Sequence, residues 1–199
     1  MGENLFANPE GTREQILAAT YRTLRQRGYT ELTISAIGEE FDKSPSLVYR
    51  HYDSKDDLVL SCLESMLDQY EQRFTEADVT DPKARLSAFL ERGFPETVAD
   101  DRRQFITTLV ELRSLAAHDD AYRAHFTRSD EVFTTSLADI VRAGIDQGVF
   151  ADCDPDRVAF YLFSTLAGAM QRRVTTEDEA WIGDVRAEVE QYLETRVYR

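Results

Sequence analysis

Residues 33–55 read TISAIGEEFDKSPSLVYRHYDSK, two short helical signals on either side of a tight turn. Thr33 is suited to cap a helix running to about Phe41, because a hydroxyl ahead of an apolar run accepts a backbone N–H that the first turn leaves unpaired. Ser44-Pro45 repeats the signal: a capping serine precedes a proline at the first helical position, where a missing N–H costs nothing. A second short helix is predicted to about His51, with the turn at Asp42-Lys43. Ile34, Ile37 and Phe41 form one apolar face, and Leu47 or Val48 closes against it. Two helices of this size fit a helix-turn-helix, whose second helix presents its N-terminal residues to a major groove.

On that second helix Ser44, Ser46 and Tyr49 offer hydrogen-bonding groups. Arg50 is its one strong cation, suited to a guanine edge or a phosphate. Lys55 falls in the first turn of the following helix, where a cation beside unpaired backbone N–H groups makes a phosphate clamp. The competing reading takes Tyr49, His51 and Tyr52 as packing residues of an ordinary helical protein.

Outward from this stretch, every legible signal is helical. Upstream, Thr12 and Gln15 form a capping box, followed by Ile16, Leu17, Tyr21 and Leu24 at helical spacing, and Gly28 ends the run. Downstream, Ser54 caps a long helix with Asp56 and Asp57 in its first turn, through Leu58, Cys62, Met66 and Tyr70 to about Thr75. Asp81-Pro82 opens a helix to roughly Val98. Others are expected from about Arg102 to Ala117 and from about Asp119 to Gln147, where Gly148 stops it. Asp154-Pro155 opens the next, over about 155–174, and Thr176 with Glu179 forms a capping box for the last, over about 177–197. No sustained period-2 alternation occurs. The expected fold is all-α, with about nine helices in two domains. These are a helix-turn-helix domain over 1–56 and a helical ligand-binding and dimerisation bundle over 57–199, joined by the Ser54 helix without a flexible linker.

The chain is 42% apolar and 11% aromatic, enough to bury a core. It has no apolar run of about 18 residues and no signal-peptide pattern, so a soluble, cytoplasmic protein without a membrane partner is expected. Cys62 and Cys153 stand apart from any metal-ligand spacing and read as free thiols. The net charge of −14 is unfavourable for approach to a polyanion, but it is unevenly spread. Residues 1–56 hold seven Lys/Arg against nine Asp/Glu; residues 57–199 hold sixteen against twenty-eight. Only three lysines occur, against twenty arginines. Abundant carboxylates with few lysines suit a saline cytoplasm, where screening shortens the Debye length to about 3 Å at 1 M salt.

The order of a helix capped at Thr12, then Gly28-Tyr29, Thr33 and the run SPSLVYRHYDSKDDL resembles the N-terminal domain of the TetR family of repressors. Its aromatic-x-His-aromatic-x-x-Lys-x-x-Leu pattern is met by Tyr49, His51, Tyr52, Lys55 and Leu58. The form DKSPSLVYRHYDSKDDL is most similar to haloarchaeal members. This resemblance implies that Tyr49, His51 and Lys55 hold phosphates, that Tyr52 packs inward, and that Ser44, Ser46 and Arg50 face bases. Thr33 and Ser35 add backbone contacts. Asp42 and Lys43 depart from the Gly and small apolar residue frequent there, and Pro45 removes one backbone donor. Further on, LVELRSLAAHDDAYRAHF, Gly144 with Gly148, and Asp154-Pro155 resemble the BetI-like subgroup, which implies architecture and no particular ligand.

The resemblance implies a homodimer on a near-palindromic operator in double-stranded DNA, released by a small-molecule effector. It implies no cofactor. The last two helices would pair with their copies through Phe160, Phe163, Leu166, Met170, Trp181, Val185, Val189, Tyr192 and Leu193, with Ala167, Gly168 and Ala169 allowing close approach. An intramolecular core is the competing explanation. Met66, Tyr70, Phe89, Phe105, Leu109, Leu112 and Phe133 are candidate apolar walls of an effector pocket, with Arg113 and Tyr122 as its polar groups. Two other classes remain. A metal-dependent enzyme would use Glu111, His118 and His125 at seven-residue spacing, although a helix break near His118 would undo the alignment and no catalytic sequence motif is present. A non-DNA-binding scaffold would have a blank recognition helix, which Arg50 and Lys55 argue against.

Overall fold

In the computed structural model, residues 6, 9, 11–41, 44–75 and 80–199 are described, apart from the side chains of 41 and 73–75. Asp42, Lys43 and the Phe41 side chain, on which the turn prediction rested, lie outside them. Among the described residues there are nine helices: α1 (Gly11–Arg27), α2 (Ile34–Phe41), α3 (Pro45–Val48), α4 (Lys55–Thr75), α5 (Pro82–Gly93), α6 (Asp100–Leu115), α7 (Asp120–Asp146), α8 (Pro155–Thr175) and α9 (Trp181–Arg196). Among the described residues the only bridge between extended residues is an isolated one, Phe150 with Tyr198.

Local chemistry accounts for most helix ends. Gly28 and Gly148 adopt φ of 75° and 72°, the left-handed conformation that ends α1 and α7. Asp81 caps α5 through the Ala84 N–H, and Asp154 caps α8 through those of Asp156 and Arg157, each with proline next. Four expectations need correction. Thr12 lies inside α1, which begins at Gly11. α5 ends at Gly93 rather than near Val98, because Pro95 has no N–H and restricts the residue before it. α3 is a single turn rather than reaching His51. Thr176 does not open the last helix: its hydroxyl donates back to Arg172 O, and Asp178 instead receives the Ala180 N–H and the indole N–H of Trp181, on its carboxylate and carbonyl.

The chain packs as two compact units. The first comprises Met1–Arg73 with Ala99–Thr127. Its core gathers Ile16, Leu24, Leu32, Ile37, Val48, Tyr52, Leu58, Cys62, Leu112 and Tyr122. Here α6 lies along α1: the Thr108 hydroxyl donates to Leu24 O, and Arg25 pairs with Asp101. A Cβ on Gly28 would clash only with the flexible end of the Gln104 side chain, so it is the positive φ that calls for glycine here.

The second unit comprises Phe74–Val98 with Arg128–Arg199. Leu86, Leu90, Phe94, Val141, Phe150, Leu162, Val189 and Leu193 form its core. The C-terminus is tied down by Ala151 N–H to Val197 O at 2.7 Å and Arg199 N–H to Val149 O at 3.2 Å. The buried Arg173 guanidinium donates to Pro95 O and lies 3.0 Å from Glu179, joining the segment after α5 to that before α9. No helix among the described residues is long and apolar enough to cross a membrane. Both cysteines are free, Cys62 buried and Cys153 half-buried.

Candidate nucleic-acid interface

α2 begins where Thr33 predicts. Its hydroxyl accepts the Ala36 N–H at 3.0 Å, and its carbonyl accepts that of Ile37. Ile34, Ala36 and Ile37 are buried, leaving Thr33, Ser35 and Glu39 exposed. At the next element Ser44 holds an extended conformation (φ −63°, ψ 135°), and its Oγ accepts the Ser46 N–H at 3.3 Å. The two serine hydroxyls also bond each other at 2.8 Å.

Beyond Val48 the backbone tightens: Arg50 N–H donates to Leu47 O and His51 N–H to Val48 O, three residues back in each case. Val48 (0% exposed) and Tyr52 (3%) are the buried anchors of this turn. Of the two candidates for closing the apolar face, Val48 is the one fully buried; Leu47 is half-buried. Ser44, Ser46, Tyr49, Arg50 and His51 are left on the outside, Tyr49 at 62% exposure. The Arg50 guanidinium has no ion pair or hydrogen bond among the described residues, whereas Arg22 is paired with Glu40 at 2.7 Å and Arg27 with Glu39 at 3.7 Å. Tyr52 does pack inward; its hydroxyl accepts from Arg13 Nε at 3.3 Å, and burial raises its pKa.

Lys55 sits differently from a free surface cation. Its ammonium donates to Tyr29 O at 2.6 Å and lies 3.8 Å from the centre of the Tyr29 ring. Burial lowers its pKa. The start of α4 is itself partly satisfied, since Ser54 Oγ accepts the Asp57 N–H at 3.0 Å and Asp57 Oδ2 accepts the Asp53 N–H at 3.1 Å. The sequence marks the neighbouring Asp56 only as a dipole partner of the helix. Its Oδ1 accepts two tyrosine hydroxyls, Tyr29 at 2.6 Å and Tyr122 at 2.9 Å.

The nine candidate pocket residues divide between the two units. In the first, Leu112 and Tyr122 are fully buried, Met66, Phe105 and Leu109 pack half-buried against the same core, and Tyr70 is half-buried. Arg113 is exposed, its guanidinium 5.1 Å from the Phe126 ring centre. In the second, Phe89 is half-buried and Phe133 stacks on Phe163 at 5.9 Å. A cleft of about 440 Å³ in the first unit is lined by Tyr29, Asp56, Ser114, Leu115, His118, Asp119 and Tyr122. Of the nine candidates only Tyr122 borders it.

The Glu111, His118 and His125 trio is not carried on one helix. His118 is exposed in the turn after α6, while His125 is buried on α7, with Nδ1 2.6 Å from Glu64 Oε1. Among the described residues no three His, Cys, Asp or Glu side chains are grouped to hold a metal. The proposed helix-pairing stripe divides as well. Val189 and Leu193 are core residues and Phe163, Leu166, Trp181, Val185 and Tyr192 flank them, whereas Phe160 is 59% exposed.

Residues 16–62 match the family described as bacterial regulatory proteins, tetR family, and residues 82–197 match the BetI-type transcriptional repressor C-terminal family. The chain is 27% identical over 193 residues to the HTH-type transcriptional regulator TtgR of Pseudomonas putida, covering 92% of this chain and 89% of that protein. A TetR transcription regulator from Haloarcula marismortui is similar in structure, with a TM-score of 0.78 and 33% identity, covering 93% of this chain and 97% of that one. A transcriptional regulator from Saccharomonospora viridis in complex with choline shares the fold, with a TM-score of 0.75, 21% identity and coverage of 94% and 97%.

Proposed function

The chain belongs to the TetR family and is a DNA-binding transcriptional regulator, and from that premise we propose that it is a homodimeric repressor released from a near-palindromic operator by a small-molecule effector. DNA binding is assigned to residues 1–56, effector binding and dimerisation to 57–199. Ser44, Ser46 and Arg50 face base edges, Tyr49, His51 and Lys55 hold phosphates, and Thr33 and Ser35 add backbone contacts.

One observation carries this assignment. Val48 and Tyr52 are buried four residues apart, Ser44, Ser46, Tyr49, Arg50 and His51 around them are exposed, and Arg50 meets no carboxylate among the described residues. In a chain of net charge −14, an exposed guanidinium with no carboxylate partner among the described residues is suited to an external acceptor.

The effector acts through a difference in its affinity for DNA-competent and DNA-incompetent arrangements of the dimer. We further place the protein in a saline cytoplasm, on the strength of its three lysines and its acidity. Counterion release contributes little at high salt, so base contacts and burial supply more of the affinity.

Selection of bound fragments from a random duplex library at molar KCl tests the reading. The expected result is an enriched two-fold motif whose half-sites lie about one helical turn apart. Absence of any enriched motif, with and without cell extract supplying effector, overturns it.

A further inference from the structure

We propose that Asp56 is a positioning residue for DNA binding: by accepting the hydroxyls of Tyr29 and Tyr122 it fixes the segment that holds Lys55 at its phosphate, and so makes operator affinity answer to the start of α7. The inference rests on the reading of the α2–α3 face and Lys55 as the DNA-binding surface.

Four groups from three parts of the first unit meet here. Tyr29 lies between α1 and α2, Lys55 and Asp56 open α4, and Tyr122 stands in the first turn of α7. The Lys55 ammonium is held by two features of one residue, the carbonyl of Tyr29 at 2.6 Å and the face of its ring at 3.8 Å. That places the cation only as well as Tyr29 is itself placed. Tyr29 has a single hydroxyl, spent on Asp56 at 2.6 Å. Asp56 in turn is shared with Tyr122 at 2.9 Å. Hydrogen bonds to a charged carboxylate are the strong kind, and both phenols are protonated at neutral pH.

The ring of Tyr122 is 1% exposed and belongs to the core, so it cannot shift without the start of α7. The Asp119 carboxylate caps that start, accepting the N–H groups of Ala121 at 2.8 Å and Tyr122 at 3.1 Å. A displacement of α7 therefore lengthens the Tyr122–Asp56 bond, frees the Asp56 carboxylate and loosens Tyr29, and Lys55 loses its fixed position. The cleft beside these residues, walled by Ser114, Leu115 and His118 on the α6 side, leaves the network room to move.

The test compares Tyr122→Phe, Tyr29→Phe and Lys55→Ala in the full-length protein, on the duplex selected by the wild type and over a KCl series. Tyr122→Phe removes only a hydroxyl from a buried ring, and Tyr29→Phe keeps the ring and carbonyl that hold Lys55. Each is expected to weaken binding on the order of tenfold and to lower the slope of log affinity on log salt by about 1, as Lys55→Ala does. The double variant Tyr122→Phe/Lys55→Ala is expected to bind no more weakly than Lys55→Ala alone, since both remove the same contact.

A lower Tm for Tyr122→Phe with an unchanged salt slope would mark the tyrosine as structural and overturn the proposal. Additive losses in the double variant, or a Lys55→Ala protein with the wild-type slope, would overturn it equally. If the wild type selects no DNA at all, the DNA-binding assignment fails together with it, an outcome distinct from wild-type binding that the tyrosine variants leave unaltered.

Discussion

The ring of Phe150 occupies the space where a side chain on Gly144 would begin: a Cβ built there would stand 2.1 Å from Phe150 Cδ2 and 2.5 Å from Cγ. Phe150 is fully buried, and the Gly144 carbonyl accepts the N–H groups of both Val149 and Phe150. The end of α7 and the following turn are thus folded onto the glycine, and the buried ring can yield only by displacing its core neighbours. Gly144→Ala is expected to destabilise the protein by about 1–3 kcal/mol. Gly183 in α9 has nothing within 4 Å of its Cβ position, so Gly183→Ala should gain up to about 1 kcal/mol from helix propensity alone. Denaturant midpoints for the two variants check the contrast, and equal shifts of the same sign would contradict it.

Arg50 carries the base-reading prediction. Arg50→Ala is expected to cost about 1–3 kcal/mol on the selected operator while leaving random duplex nearly unaffected. Fluorescence anisotropy on both duplexes measures the difference. Equal loss on both would turn Arg50 into a phosphate contact.

Alkaline pH probes the tyrosine network. Burial first, then the Asp56 hydrogen bond and charge, push the Tyr29 pKa from 10.0 up to about 12, and the same causes in the same order raise Tyr122. A raised folded-state pKa means that the folded protein holds its proton more tightly than the unfolded chain. The stability it contributes is complete below the unfolded value of 10.0 and is lost as pH rises through about 12. Helical circular dichroism should accordingly fall within that window, together with the appearance of tyrosinate absorbance. Asp56→Asn removes the carboxylate but not the burial, and should move the Tyr29 part of the tyrosinate titration, read as the difference from the Tyr29→Phe protein, to lower pH. An unchanged titration would remove Asp56 as a cause.

The helix starts were legible because they are local. Ser44-Pro45, Asp81-Pro82 and Asp154-Pro155 each place a cap beside a residue with no N–H to lose, and Thr33 and Ser54 cap where an apolar run begins. The end of α5 and the start of α9 were misplaced because Pro95 and Asp178 outcompete longer periodic patterns that continue past them. The outward face of α3 was legible from residue type together with the resemblance. The placement of Lys55 was not. Its partner Tyr29 lies 26 residues away, and Tyr122 lies 66 from Asp56. No periodicity or capping rule reports a contact over such separations. Nor was the division of the apolar stripe on α8 and α9 legible, since Phe160 and Val189 look alike until packing buries one and leaves the other at 59% exposure.

That exposed face of α8 makes the dimer testable. Phe160, Ser164, Gly168 and Gln171 are all exposed and follow one another at helical spacing, and among the described residues a Cβ built on Gly168 meets nothing within 4 Å beyond its chain neighbours and its own helix backbone. Within one protomer, therefore, nothing requires glycine at 168 or an aromatic ring at 160. If two copies of α8 pair across a two-fold axis, each substitution acts twice in one interface. Losing burial of one Phe side chain costs about 1.5–3 kcal/mol, so Phe160→Asp should weaken the dimer by about two to four orders of magnitude in Kd. Gly168→Leu should do so by holding the helices apart, with both variants retaining the wild-type helical signal. Sedimentation at molar KCl is the appropriate measurement, because salt screens the mutual repulsion of two chains of net charge −14 and isolates the apolar contribution. A monomeric wild type, or two variants that remain dimeric, would move the interface away from this face.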